Sequence, residues 1–300
     1  MESVFTQEEA TQKAGWFISA FNIPNAWTYA RGKGVVVAVI DCGCQLDHED
    51  LAENIVAGKN FINENQEPWD DSISGHGTAV CGIICAENND IGIVGVAPEA
   101  NIMPIKVLDK YGTGNFEIVA NGIKWAADHG SDIMCMSLGS TKPLQQVRKA
   151  IQYASKKGIP VFCAAGNSGW NSEIFYPASY PETIGIGSLS ENFELSKFSC
   201  IGKNIDFLAP GERILSTVPK NWYAVFSGTS ASCPFIAGVA ALALSCARKT
   251  GKFFLNNSND YKELFKKFTT PITIEKLKDK TWYKGFGIVQ PTDIMKFLSK

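Results

Sequence analysis

The sequence predicts an α/β protein: a mainly parallel, doubly wound sheet in three layers, α/β/α. Two observations predict it. Apolar runs of strand length recur along the chain, and helical patterns separate several of them. The length of 300 residues and the 45% hydrophobic content are enough to bury one large core.

The elements follow in order. Val35–Ile40 is a mostly β-branched apolar run, the pattern of a buried parallel strand, and Asp41 stands at its C-terminal end. His76 opens a small-residue helical stretch, Gly77 to Ala86. A second strand run is Ile102–Leu108. Asn115–His129 then places Ile118, Val119, Ile123, Trp125 and Ala126 on or near one helical face. Asp132–Ser137 is strand-like. Leu144–Lys157 is helical, with Pro143 near its start, where a missing N–H costs nothing. Strand runs follow at Ile159–Ala165, Thr183–Ser188 and Ile205–Ala209, then a buried helix from Ala231 to Leu244. Beyond Leu244 the chain is more polar. It carries a charged helix around Tyr261–Phe268, a return strand Gly285–Val289 and a last helix Thr292–Leu298. No internal repeat or low-complexity linker divides the chain. The economical division is an N-terminal extension, residues 1–20, and one domain, residues 21–300.

The bulk properties limit function. A net charge of −2 with scattered Lys and Arg gives no footprint for a nucleic-acid partner. No apolar stretch approaches the ~20 residues that span a bilayer, so no membrane partner is expected. Residues 1–10 are acidic and polar, unlike a secretory signal. The nine cysteines, an odd number, cannot all pair within the chain, and most sit inside apolar patterns. They fit small buried hydrophobes in a reducing, cytoplasmic compartment. Cys81 and Cys85 share a helix face, yet packing explains them better than metal ligation. Cys42 adjoins Asp41, and Cys233 lies three residues past Ser230.

Three segments carry chemistry. Ser227-Gly-Thr-Ser-Ala-Ser-Cys-Pro234 puts Ser230 at a helix start, beside free N–H groups that can hold an oxyanion. By itself this is an ordinary cap. Asp41 lies at a strand's C-terminal edge, where α/β sheets collect functional groups. His76 follows a glycine at a helix start. Asp, His and Ser, each beside glycine at an element boundary, suit nucleophilic acyl transfer.

The order Asp41, His76, Ser230 is that of subtilisin. The sequence resembles the subtilisin-like serine proteases through Asp41-Cys-Gly, Gly75-His-Gly-Thr78, Gly95-Val-Ala-Pro98, Ser137-Leu-Gly139, Ala164-Ala-Gly-Asn167, Leu208-Ala-Pro-Gly211 and Gly228-Thr-Ser230. The resemblance runs from about Ile23 to Val289 and is strongest to bacterial intracellular subtilisins, with Gly58-Lys-Asn-Phe61, Tyr176-Pro-Ala178 and Ile214-Leu-Ser-Thr217 in support.

The resemblance implies a serine endopeptidase acting on proteins or peptides without an organic cofactor. Ser230 would be the nucleophile, His76 the general base and then acid, and Asp41 the group that orients it. Asn167 would be the oxyanion donor; read alone, it is a turn asparagine. Ser137, Leu138 and Gly139 would form one wall of the S1 pocket, and Ala164, Ala165 and Gly166 the other. Phe175 falls near the pocket floor, where many relatives have a small residue; its ring either shortens the pocket or turns away. The loop Glu87–Ile93 matches a calcium loop, with Asn89, Glu87, Ile91, Ile93, Asp50 and Gln12 as the ligand set; read alone, it is a polar surface turn. Intracellular relatives often dimerise, which leaves a homodimer open. The rival readings are a narrow maturation protease, a binding module that keeps the fold without activity, and an esterase. The family usually has Met-Ala-Ser/Ala-Pro-His after the nucleophile; here it is Ala231-Ser-Cys-Pro-Phe235, and Cys42 replaces the usual Ser or Thr.

Overall fold

The computed structural model describes residues 2–5, 11–272 and 285–300. Of the expected extension, residues 1 and 6–10 lie outside the described residues. The chain opens with a short strand, β1 (Glu2–Phe5), and two short helices, α1 (Trp16–Ala20) and α2 (Ile23–Ala26). The α/β body then begins with β2 (Val36–Asp41), β3 (Lys59–Asn60), α3 (His76–Cys85), β4 (Asn101–Lys106), α4 (Phe116–Asp128), β5 (Ile133–Met136), α5 (Gln145–Lys156), β6 (Val161–Ala164) and β7 (Ile184–Leu189). The second half adds β8 (Phe207–Pro210), β9 (Ile214–Val218), β10 (Trp222–Phe226), α6 (Thr229–Thr250), α7 (Ser258–Lys266), β11 (Thr269–Thr270), β12 (Ile288–Val289) and α8 (Pro291–Leu298).

Among the described residues, nine strands form the main sheet, in the order β11-β12-β8-β7-β6-β5-β2-β4-β3. Every neighbouring pair is parallel except β11–β12. The helices α3 and α6 pack on each other, as do α4 and α5, with the sheet between the two pairs. This is the three-layer, doubly wound arrangement expected from the alternation of elements. The order reverses at β2, which lies between β4 and β5. Open α/β sheets bind ligands at such a switch point, beyond the strands' C-terminal ends, and Asp41 is the last residue of β2.

Several boundaries move from their expected places. Asn115 caps α4, its side chain accepting from the Glu117 N–H, and Leu144 is the N-cap position of α5. Expected strands shift or shorten by one or two residues, Asp132–Ser137 and Ile159–Ala165 at both ends, where pairing stops. The return strand contracts to β12. The helix after Ser227 starts at Thr229, so Ser230 falls inside its first turn. At 22 residues α6 has the length and composition to span a bilayer, contrary to the expectation of no such stretch; 89% of its most apolar window is buried inside the protein, where it is the central core helix.

A small second sheet, β1-β10-β9, was not legible in the sequence. The turn between β9 and β10 uses Lys220 and Asn221 at φ of 75° and 55°, without the glycine that usually marks a hairpin. Residues 11–20 pack on the body of the protein. Phe17 and Ile18 are buried, and the Phe17 ring meets Phe235 edge-on at 6.1 Å.

Candidate active site

Asp41 is fully buried, and its Oδ1 accepts from the Cys42 backbone N–H at 2.7 Å and from His76 Nδ1 at 2.8 Å. That carboxylate partner assigns the proton to Nδ1 and leaves Nε2 as the free nitrogen. Burial opposes a charge on the His76 ring, but the Asp41 carboxylate beside it, with Asp70, outweighs burial and holds the ring above the usual histidine value of 6.5.

The start of α3 is held by a residue that sequence reading missed. Asp70 Oδ2 accepts from the Thr78 N–H at 2.9 Å and from its hydroxyl at 2.8 Å. Asp70 Oδ1 accepts from the Ser72 hydroxyl, which in turn accepts from the His76 N–H at 3.3 Å. A carboxylate thus satisfies free donors at the positive helix end and fixes where His76 emerges. No local motif marks Asp70; only the fold brings it under the helix. Gly77 is required by closeness: a Cβ there would stand 2.1 Å from the Gly43 carbonyl oxygen.

Ser230 is tied to the end of β5. Its hydroxyl donates to the Ser137 carbonyl at 3.2 Å, and the Ser137 hydroxyl donates to the Ser230 carbonyl at 3.0 Å. Among the described residues its hydroxyl is bonded to Ser137 and not to His76. His76 and Ser137 line the same cleft, of about 620 Å³, and Ser230 is joined to it through its bonds to Ser137.

Asn167 follows β6 after two residues. Its Oδ1 accepts from the Thr229 N–H and from the Thr229 hydroxyl, each at 2.9 Å. This locks the amide and leaves Nδ2 as the outward donor. The position of a Cβ built on Gly228 is 3.1 Å from Asn167 Nδ2 and 3.6 Å from the Ser230 nitrogen. Two N–H donors therefore border one small space beside Ser230, at the positive end of α6. Thr229, which orients Asn167, had not been singled out in the sequence.

Ser137, Leu138, Gly139 and Phe175 line the cleft, whereas Ala164, Ala165 and Gly166, expected as its other wall, are not among its lining residues. The Phe175 ring lies between the two segments: a Cβ on Gly166 would meet Phe175 Cγ at 2.8 Å, and one on Gly139 would meet Phe175 Cβ at 3.1 Å. Backbone bonds hold it there. The Phe175 N–H donates to the Ala165 carbonyl at 2.9 Å, and Ser140 and Tyr176 exchange N–H···O bonds of 2.8 Å each.

The suspected calcium ligands also converge. Gln12 Nε2 faces the carbonyls of Glu87 at 2.6 Å, Ile91 at 3.1 Å and Ile93 at 2.9 Å, and Asn89 Oδ1 at 3.4 Å. An amide has two hydrogens, so four oxygens around one nitrogen are more acceptors than it can satisfy. Turned about its amide bond, Gln12 would offer Oε1 to the same point. Asp50 stands close by. Its Oδ2 accepts from the Ile93 N–H at 2.7 Å, while its buried Oδ1 has no partner among the described residues. Burial raises the Asp50 carboxyl to about 6, as expected for a carboxylate short of a positive neighbour. A cage of carbonyl, amide and carboxylate oxygens fits Ca²⁺.

The chain matches the subtilase family over residues 32–287. It is 39% identical over 276 residues to an intracellular serine protease of Paenibacillus polymyxa, covering 90% of this chain and 84% of that one. It is 40% identical over 267 residues to the major intracellular serine protease of Bacillus subtilis, covering 86% and 83%. Thermitase of Thermoactinomyces vulgaris is 43% identical over 226 residues, covering 75% and 80%. With this agreement along most of its length, and the Asp41–His76 contact at the sheet's switch point, the chain belongs to the subtilase family.

Proposed function

We propose that this serine endopeptidase works through Asp41, His76 and Ser230, with Asn167 as oxyanion donor. The observation that carries the reading is the 2.8 Å contact between His76 Nδ1 and buried Asp41, with His76 lining a cleft beside Ser137, the residue whose carbonyl holds the Ser230 hydroxyl. A peptide carbonyl enters the cleft, and Ser230 turns from the Ser137 carbonyl to attack it. His76 Nε2 takes the hydroxyl proton. Asp41 keeps the ring in the right tautomer and stabilises its charged form. The carbonyl oxygen becomes an oxyanion between Asn167 Nδ2 and the Ser230 N–H. His76 then protonates the leaving amine, and water, activated by the same ring, releases the acyl group. A fluorophosphonate reagent tests the reading: it should label the protein stoichiometrically, and a freshly prepared protein that takes no label would overturn it.

The substrate is a protein or peptide. Ser137–Gly139 supports an extended substrate backbone as an added strand. The position of the Phe175 ring between Gly139 and Gly166 supports a shallow S1 pocket that favours small or medium P1 side chains. The variant Phe175→Ala should raise the relative kcat/KM for a P1 phenylalanine over alanine by at least about tenfold, the scale on which pocket volume discriminates. A peptide library measures this, and an unchanged P1 profile would show that the ring does not set the pocket.

Calcium is the proposed structural ion, held by Gln12, Asp50, Glu87, Asn89, Ile91 and Ile93. Its contribution is to balance these converging oxygens and so pin residues 12 and 87–93 together. A chelator should lower the melting temperature by about 5 °C or more, on the scale of an ion held well above its Kd. An unchanged melting curve would remove the ion from the reading. We place the enzyme in the cytoplasm, on the relatives named intracellular and on nine cysteines that are all unpaired and buried. Residues 21–300 form the catalytic domain in this reading, and residues 1–20 its N-terminal extension.

A further inference from the structure

We propose that Asp41, Cys42 and His76 form an inhibitory zinc site, in which a thiophilic divalent cation occupies the triad and switches the protease off. The inference rests on the triad reading above. Among the described residues, these three are the one group of His, Cys, Asp and Glu side chains whose ligand atoms all lie within 4.8 Å of one another. They offer a carboxylate oxygen, a thiol sulfur and an imidazole nitrogen. That mixed set selects zinc over calcium or magnesium, which take oxygen alone.

Three further features suit a metal. Asp41 uses only Oδ1 for its two hydrogen bonds; Oδ2 is fully buried and accepts none from the described residues. Where the family usually has a hydroxyl after the aspartate, this chain has a thiol, a weak donor. The carboxylate therefore keeps an oxygen with its lone pairs uncommitted. Second, charge balances: an aspartate and a thiolate neutralise a divalent ion. On binding, the thiol proton passes to solvent and the sulfur bonds to the metal, while the ring proton leaves Nδ1, the nitrogen facing Asp41, and reappears on Nε2 by exchange with solvent, so that neutral imidazole binds through Nδ1. Third, the site is reachable, because Cys42 and His76 both line the main cleft. Three protein ligands leave the fourth tetrahedral position for water. A ring held by zinc cannot serve the proton transfers assigned to His76, so hydrolysis stops.

The experiment uses the full chain in excess calcium, so that the oxygen cage does not compete. Zinc is titrated from a metal buffer, and inhibition is expressed relative to each variant's own zinc-free rate. Wild type should be inhibited reversibly, with rescue by a zinc chelator. Loss of one ligand should raise the half-inhibiting concentration at least about tenfold in Cys42→Ser, since removing even an outer partner of a metal ligand costs that much. Cys42→Ala, a second small substitution, should behave alike. Cobalt(II) reports the ligands directly: wild type and Ser230→Ala should both show a thiolate-to-cobalt charge-transfer band, absent in Cys42→Ser. Wild type without that band, or Cys42 variants inhibited at the same zinc concentration, would overturn the zinc site and leave the triad standing. An active Ser230→Ala would overturn the triad reading, while its cobalt band would still report whether the metal binds.

Discussion

Replacing Ser230 with alanine should lower kcat about a million-fold, the loss measured on subtilisin itself when its nucleophile is removed. At 1.36 kcal/mol per decade this is about 8 kcal/mol of transition-state stabilisation. The fold should survive. Ser230 gives up one hydroxyl bond, at 3.2 Å to the Ser137 carbonyl, while the Ser137 hydroxyl still reaches the Ser230 carbonyl. The variant should take no fluorophosphonate label and should melt within about 1 kcal/mol of wild type, the net worth of such a bond. Residual hydrolysis above the rate in water should remain, because Asn167 and the helix end still face the carbonyl. A variant that keeps both activity and label would place the nucleophile elsewhere.

Asn167 gives the second large effect, and its two ends do different things. The Nδ2 end points into the space beside Ser230; the Oδ1 end accepts twice from Thr229. Asn167→Asp keeps the acceptor and loses the donor, whereas Asn167→Ala loses both. Each should reduce kcat by about 100-fold or more, with KM little changed, because the oxyanion exists only after attack; the scale for a lost donor, 100–1,000-fold, was set on subtilisin itself. Only Asn167→Ala should also lose stability, by about 1–3 kcal/mol, since it strands the Thr229 N–H at the start of α6. Steady-state kinetics and melting curves, measured together, separate the two ends. If KM rose while kcat held, Asn167 would be a ground-state contact and not an oxyanion donor.

The departures after Ser230 take on meaning in the folded chain. Phe235, where relatives usually have histidine, is buried and stacks edge-on with Phe17 and Phe21, at 6.1 and 4.8 Å. The apolar ring thus seats residues 17–21 on α6. Ala231 is fully buried in the first turn of α6. Neither touches the hydrogen bonds that fix Ser230 or Asn167. Cys42 differs, because it stands beside the carboxylate itself.

What the sequence alone determined is the set of strong local patterns. β-Branched runs made the parallel strands legible, small-residue stretches made α3 and α6 legible, and the glycine-flanked Asp41, His76 and Ser230 marked three element boundaries. Those signals survive because they are set by backbone sterics and by burial on both faces of a sheet. What only the tertiary structure decided is everything that depends on distance between remote segments. Asp70 under the histidine helix, Thr229 locking Asn167, the Phe175 ring between Gly139 and Gly166, and the uncommitted oxygen of Asp41 beside a thiol leave no periodicity to read. Each is a contact whose value depends on direction and burial, and chain order encodes neither.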